Sequence, residues 1–207
     1  MLTFRVAVLA ALLSSHGLLG QFCQQGPKLV GSDAEGTIER GLSVAVSADG
    51  NTAAVGGPGD HGGVGAVWIY TRGGGTWTQE GPKLVGTGDV GTARQGTSVA
   101  ISADGNTVLV GGSGDSAGVG AAWVFTRNGG VWMQQGTKLV GTGAVGFYVY
   151  QGYSVSLSAD GNTAIVGGYN DSGGRGAAWV FSRSESAWTQ QGAKLVGTGY
   201  KGSAYQG

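Results

Sequence analysis

Apolar residues alternate with small or polar ones in short runs along most of this chain. In the middle of it, TSVAIS runs from Thr97 to Ser102, TVLVGG starts at Thr107, AAWVFTR starts at Ala121, and VWMQQGTKLVG starts at Val131. A period of two, bounded by glycine- and aspartate-containing breaks, predicts strands. The breaks read ADGN, GSGDSAGVG and NGG. Four short strands joined by tight turns predict one antiparallel sheet of the kind that forms a β-propeller blade. After the first twenty residues no segment carries the i, i+3, i+4, i+7 apolar pattern of a helix, so the fold class is all-β.

The same pattern recurs along the chain. SADGNT is spelled from Ser47, Ser102 and Ser158, and its aspartates Asp49, Asp104 and Asp160 are 55 and 56 residues apart. Trp68, Trp123 and Trp179 keep this step, as do Trp77, Trp132 and Trp188. KLVG occurs four times, headed by Lys28, Lys83, Lys138 and Lys194. A period of this length marks a repeat architecture. It divides the chain into repeats at 43–97, 98–153 and 154–207, the last ending where a further repeat would start. FCQQGPKLVG from Phe22 aligns with WTQEGPKLVG from Trp77, so residues 21–42 read as an N-terminal outer strand and connecting loop. Three complete blades fall below the usual range of about four to eight. The expected architecture is therefore an open arc or a fragment of a larger propeller, with the natural protein longer or separate chains completing the ring. Exposed edges on the terminal blades favour self-association.

Residues 1–20, MLTFRVAVLAALLSSHGLLG, have the layout of a signal peptide: one Arg5, an apolar run from Val6 to Leu13, then small and polar residues. The run is too short for the roughly 20 residues needed to span a bilayer, so no membrane span is expected. The chain is expected to be secreted or held at the cell surface. Its single cysteine, Cys23, cannot form an internal disulfide.

Composition narrows the classes further. Glycine accounts for 45 of 207 residues without a G-X-Y period, which excludes collagen. Charged residues are 12% and balance to zero, so no field draws the protein to nucleic acid. Asp-Gly between two alternating strands is a strong hairpin signal and predicts a type I′ turn with positive φ at both central residues. Asp49, Asp104 and Asp160 are then turn residues. Calcium would need about six oxygens or more, and ADGN supplies one carboxylate and one amide. No cofactor is expected; calcium is the one ion the pattern would admit, and it is not favoured.

The stretch QGYSVSLSADGNTAIVGGYNDSGGRGAAWVFSRSESAWTQQGAKLVGTG, Gln151 to Gly199, resembles the bacterial FG-GAP-type repeat, related to the blades of integrin α-chain propellers. The family's F-G stands here as Arg40-Gly41, Gln95-Gly96 and Gln151-Gly152, and its G-A-P as Gly56-Gly57-Pro58, Gly111-Gly112-Ser113 and Gly167-Gly168-Tyr169. The resemblance covers residues 22–207 and implies a propeller of four-stranded blades. Calcium-binding members have a long acidic loop between the first two strands; here it has contracted to ADGN.

The candidate sites are aromatic and acidic. Trp68, Trp123 and Trp179, with Tyr70, Phe125 and Phe181 two places on, share one face of the third strand and predict packing between blades. Trp77, Trp132 and Trp188 open the outer strand and are the better placed of the two sets to touch something outside. The loops between second and third strands carry Asp60, Asp115 and Asp171 in register. Three carboxylates on one face suit calcium or sugar hydroxyls, although aspartate beside glycine more often builds the turn. Of the loops between blades, the third carries Phe147, Tyr148 and Tyr150, followed by Tyr153, an adhesive patch. His61 stands alone in a glycine-rich loop, so no catalytic set can be assembled. The function expected is a non-catalytic scaffold for adhesion or for binding a protein or carbohydrate. The alternative is the propeller domain of a secreted carbohydrate-active enzyme whose catalytic part is not in this chain.

Overall fold

In each repeat the alternating runs pair with their sequence neighbours, because short turns leave no other strand within reach. The computed structural model describes residues 24–36 and 41–207; the expected signal peptide lies outside the described residues. Blade 1 holds β1 (Ser43–Val46), β2 (Thr52–Gly57), β3 (Ala66–Gly73) and β4 (Thr76–Gln79). Blade 2 holds β5 (Gln95–Ile101), β6 (Thr107–Gly112), β7 (Ala121–Asn128) and β8 (Val131–Gln134). Blade 3 holds β9 (Ser154–Leu157), β10 (Thr163–Gly168), β11 (Ala177–Ser184) and β12 (Ala187–Gln190). Each is a four-stranded antiparallel sheet in simple sequence order. The outer strand is shorter than the sequence pattern predicts. It breaks after Gln79 and resumes opposite β3 only at Leu84, which exchanges backbone hydrogen bonds with Val67 at 2.7 and 3.0 Å. A bulge over the glycine and proline between them turns KLVG toward the next blade.

Two stretches depart from the expected turn chemistry. The loops between second and third strands contain single helical turns, α1 (Asp60–Gly63), α2 (Asp115–Gly118) and α3 (Asp171–Gly174), whose central residues are left-handed. The SADGNT hairpin is not type I′. Gly50 donates to the Ser47 carbonyl at 2.9 Å, and in each copy the glycine alone takes positive φ, 69°, 70° and 70° at Gly50, Gly105 and Gly161. The loop closed by Ser47 and Thr52 is thus four residues, ADGN, two more than a type I′ turn has, and the glycine alone is left-handed. Serine explains the change. Its hydroxyl accepts the Thr107 amide at 3.0 Å and donates to Asp104 at 2.5 Å, while Asp104 also accepts the Asn106 amide at 3.0 Å. Those bonds hold Asp104 below the ordinary carboxylate range, against partial burial that pushes the other way.

The core lies between blades. Ala54, Val67 and Ile69 of blade 1 pack on Val108, Val110, Trp123 and Phe125 of blade 2. Leu109, Ala122 and Val124 pack in the same way on Ala164, Val166, Trp179 and Phe181 of blade 3. Trp68, Trp123 and Trp179 are at most 1% exposed, and the indoles of Trp123 and Trp179 donate to the Thr87 and Thr142 carbonyls. Gln95, at the start of β5, is fully buried and clamps the loop between blades by bonding both the N–H and C=O of Gly86. Residues 24–36 lie over β3 and β4 of blade 1. Leu29 and Ala34 pack on Trp68, and Ser32 bonds Gln79, with no ladder partner for this segment among the described residues.

Candidate functional site

The in-register aspartates are fixed first, because they position the loops around them. Asp60, Asp115 and Asp171 are at most 1% exposed. Each pairs with the lysine of the following KLVG: Asp60 with Lys83 at 2.7 Å, Asp115 with Lys138 at 2.6 Å, and Asp171 with Lys194. Each also accepts a backbone N–H from the loop that enters its blade, from Glu35, Val90 and Val145. The carboxylates therefore tie helical turn, outer strand and incoming loop into one unit. Burial raises the Asp171 carboxyl, but Lys194, the Val145 amide and the Ser172 hydroxyl outweigh it and hold the group below its ordinary range.

His61 is not isolated, as its sequence context suggested. Its Nδ1 lies 2.6 Å from Glu35 Oε2, and Lys83 reaches Glu35 Oε1 at 3.2 Å. The pattern offered no sign of this, since Glu35 lies 26 residues upstream on another loop. His61 and then Lys83 hold the Glu35 carboxyl below its usual range. Both His61 and Glu35 are more than half exposed, so the pair lacks the enclosed environment that tunes a catalytic acid and base.

Trp77, Trp132 and Trp188 are half-buried. A guanidinium covers one face of each: Arg72, Arg127 and Arg183 at 5.5, 5.3 and 5.5 Å from the rings. Beside each tryptophan a cleft opens against the glycine-containing segment that precedes KLVG, of about 140, 210 and 330 Å³. None of these clefts borders the loop described next.

That loop, between β8 and β9, breaks the repeat. Between matched positions of the repeat it is one residue longer than its counterpart after β4, with 13 steps from Lys138 to Gln151 against 12 from Lys83 to Gln95, which is why the second step is 56 residues and the first 55. Phe147 is 89% exposed beside it, and Tyr148 turns left-handed at φ 58°. Tyr150 is left-handed as well, at φ 59°, a conformation its counterpart Arg94 shares. Bulky residues with positive φ are outliers, costing on the order of 1–3 kcal/mol each. Gly118 leaves the room they need, since a Cβ there would lie 2.8 Å from the Tyr148 ring and 3.3 Å from that of Tyr150.

Five tyrosines converge here. Tyr150 stacks on Tyr169 with centroids 5.3 Å apart and 9° between planes, and Tyr148 stacks on Tyr150 at 6.1 Å. Tyr153 meets Tyr169 edge-on at 4.7 Å, and Tyr205 lies 6.1 Å from Tyr169. Tyr148, Tyr153 and Tyr205 are 53–59% exposed. None of the five hydroxyls bonds a protein group among the described residues. Desolvation, then the neighbouring phenols, raise the Tyr169 hydroxyl above its usual value. The structure brings Phe147, Tyr148 and Tyr150 to one surface and keeps the three aspartates beneath the loops. Sequence reading named Tyr153 next to the patch but missed Tyr169 and Tyr205, which arrive from other loops.

Three sheets in sequence order, packed face to face, define an all-β chain of propeller-like blades. No family model matches the sequence, and no curated protein is significantly similar to it. Among solved structures the chain is similar to a candidate 6-phosphogluconolactonase from Bacteroides uniformis, with a TM-score of 0.52 and 15% identity over 74% of this chain and 39% of that one. It is also similar to the hydrazine synthase of Kuenenia stuttgartiensis, with a TM-score of 0.48 and 13% identity over 84% of this chain and 40% of that one. The chain thus spans about two fifths of the length of each, and the likeness to the first is one of fold.

Proposed function

We propose that this protein is an exported, non-catalytic scaffold of the FG-GAP-type repeat, which binds a protein or carbohydrate ligand through the tyrosine patch between blades 2 and 3. The inserted residue in the β8–β9 loop carries this reading. Blade 1 and its following loop fold without it, so the repeat itself does not require Phe147 or a left-handed Tyr148. A departure that costs backbone strain and exposes aromatic surface calls for a gain outside folding. Tyrosine supplies a flat apolar ring and a hydroxyl at its edge, which suits a ligand with both apolar faces and hydrogen-bonding groups. The exported location rests on the leader-like residues 1–20.

An array of neutral polysaccharides and extracellular proteins, probed with the full chain, tests the reading. Saturable binding is expected, lost in Phe147→Ala and Tyr148→Ala while the melting temperature holds or rises. Binding unchanged in both variants, or turnover of a bound glycan, would overturn it.

A further inference from the structure

The two ends of the arc differ from its interior. At each junction one side of a blade meets the opposite side of the next, and the same positions do the work twice. Ala54 and Leu109 are fully buried in the two junctions, yet their counterpart Ile165 on blade 3 is 41% exposed. Leu84 and Leu139 are 7% and 6% exposed, and their counterpart Leu195 is 56% exposed. At the opposite end, Val44 and Val46 of blade 1 are 68% and 59% exposed. Their counterparts Val99, Ile101, Val155 and Leu157 pack onto the preceding blade. The hairpins repeat the pattern in hydrogen bonds: Ala48 donates to the Ala103 carbonyl at 3.0 Å, and Ala103 to that of Ala159 at 2.8 Å. The Ala159 N–H and the Ala48 carbonyl, at the two ends of this series, have no partner among the described residues.

We propose that the outward face of blade 3 is an interface for blade 1 of a second copy of this chain, joined head to tail. This goes beyond ligand binding at the tyrosine patch and does not depend on it. The occupant follows from the interior junctions, where a face built like that of blade 3 is closed by a face built like that of blade 1. Ile165 and Leu195 of one copy then cover Val44 and Val46 of the next, and Ala159 donates to Ala48 across the junction.

One segment must move. Residues 24–35 of the second copy occupy the place that residues 190–201 of the first take in the joined pair, and the two stretches open on like octapeptides, QQGPKLVG and QQGAKLVG. The two octapeptides differ only at Pro27 and Ala193. The hydrogen bonds that the displaced segment gives up are replaced by equivalents. Trp68, which donates to Asp33, gains the Thr198 carbonyl, as Trp123 has that of Thr87. Asp60, which accepts the Glu35 amide, gains that of Lys201, as Asp115 has that of Val90. Exchange of like segments between like chains is a low-cost route to association. Such a head-to-tail contact closes into a ring or continues as an open array, according to the angle between blades.

Light scattering on the full chain across a concentration series tests the proposal. The mass is expected to rise from 20.6 kDa to twice that or more. Ile165→Glu and Val44→Glu each break every junction and should hold the chain at the monomer mass. Both positions are already exposed, so neither variant disturbs the monomer. Mixing the two variants leaves one intact junction, between the blade 3 face of V44E and the blade 1 face of I165E, and should restore a 1:1 dimer. A wild-type monomer at all concentrations, single variants that associate like wild type, or a mixture that stays monomeric would each overturn it.

Discussion

Replacing Lys138 by Met is expected to destabilise the protein without touching the tyrosine patch. The methionine keeps most of the lysine stem and removes the ammonium that lies 2.6 Å from Asp115. Asp115 is 1% exposed, so its carboxylate would keep only the Val90 amide at 2.8 Å and the Ser116 hydroxyl at 2.9 Å. Removing one partner of a buried ion pair costs about 3–5 kcal/mol, because the other charge stays buried and uncompensated. Lys138 itself is 18% exposed, which lets water relax part of the site, so a loss of about 3 kcal/mol is the better figure. For a chain of this length that is roughly 6–12 °C in melting temperature. The double variant Asp115→Asn with Lys138→Met removes both charges and keeps an acceptor for Val90. It should recover most of the loss, ending within about 1 kcal/mol of wild type, the size of a single hydrogen bond. Thermal melts followed by circular dichroism, with a binding assay in parallel, read both quantities. A Lys138→Met variant as stable as wild type but unable to bind ligand would refute the architectural role. So would a double variant no more stable than the single one.

The SADGNT turn should respond to its glycine more than to its charge. Gly105→Val places a β-branched residue at φ 70° and a Cβ 2.9 Å from Thr52 of the neighbouring blade, so a lowered melting temperature is expected. Asp104→Asn keeps an acceptor for Ser102 and Asn106 and should change stability by less than about 1 kcal/mol by the same melt. Acid should unfold the protein from one side only. Asp33, Asp49, Asp104, Asp160 and Asp171 are all held below their usual values. Their stabilisation is complete above the unfolded carboxyl pKa of about 4 and is lost as pH falls through the lower folded values. The melting temperature should therefore stay level from pH 7 to about 5 and fall below about 4; a decline beginning near neutrality would contradict this. Added calcium should leave the melting temperature unchanged, since only ligands of the native state raise it and Asp104 already spends its oxygens on Ser102 and Asn106.

The blades were legible because strand period and repeat period agree. TVLVGG from Thr107 is a strand over its whole predicted length, and Trp123 and Trp179 fill the two junctions as their matched positions implied, whereas Trp68 is covered by residues 24–36 instead of by a blade. The turn at Asp104 was misjudged because Asp-Gly reads as a two-residue loop until Ser102 is seen to bond both the aspartate and the Thr107 amide. The single turns at Asp60, Asp115 and Asp171 are too short to carry a helical period. At the patch, Phe147, Tyr148 and Tyr150 could be picked out because they are clustered and unlike the other loops. Tyr169 and Tyr205 could not, because their approach depends on how blade 3 packs and where its last loop returns.

That contrast separates the two kinds of aromatic residue in this chain. Trp68, Trp123 and Trp179 recur at every blade, are buried, and spend their indole N–H on the loops beside them. Packing between sheets accounts for that at Trp123 and Trp179, and the cover of residues 24–36 at Trp68. The tyrosines follow that rule only in part: Tyr205 recurs at the position of Tyr150, but at the positions of Tyr148 and Tyr150 the loop between β4 and β5 has Thr92 and Arg94. At the position of Tyr169 the other blades have Pro58 and Ser113. A core has no use for stacked rings whose hydroxyls are unpaired and whose neighbours are more than half exposed. What repeats in this protein builds the arc, and the one loop that breaks the repeat holds the surface on which a ligand can be recognised.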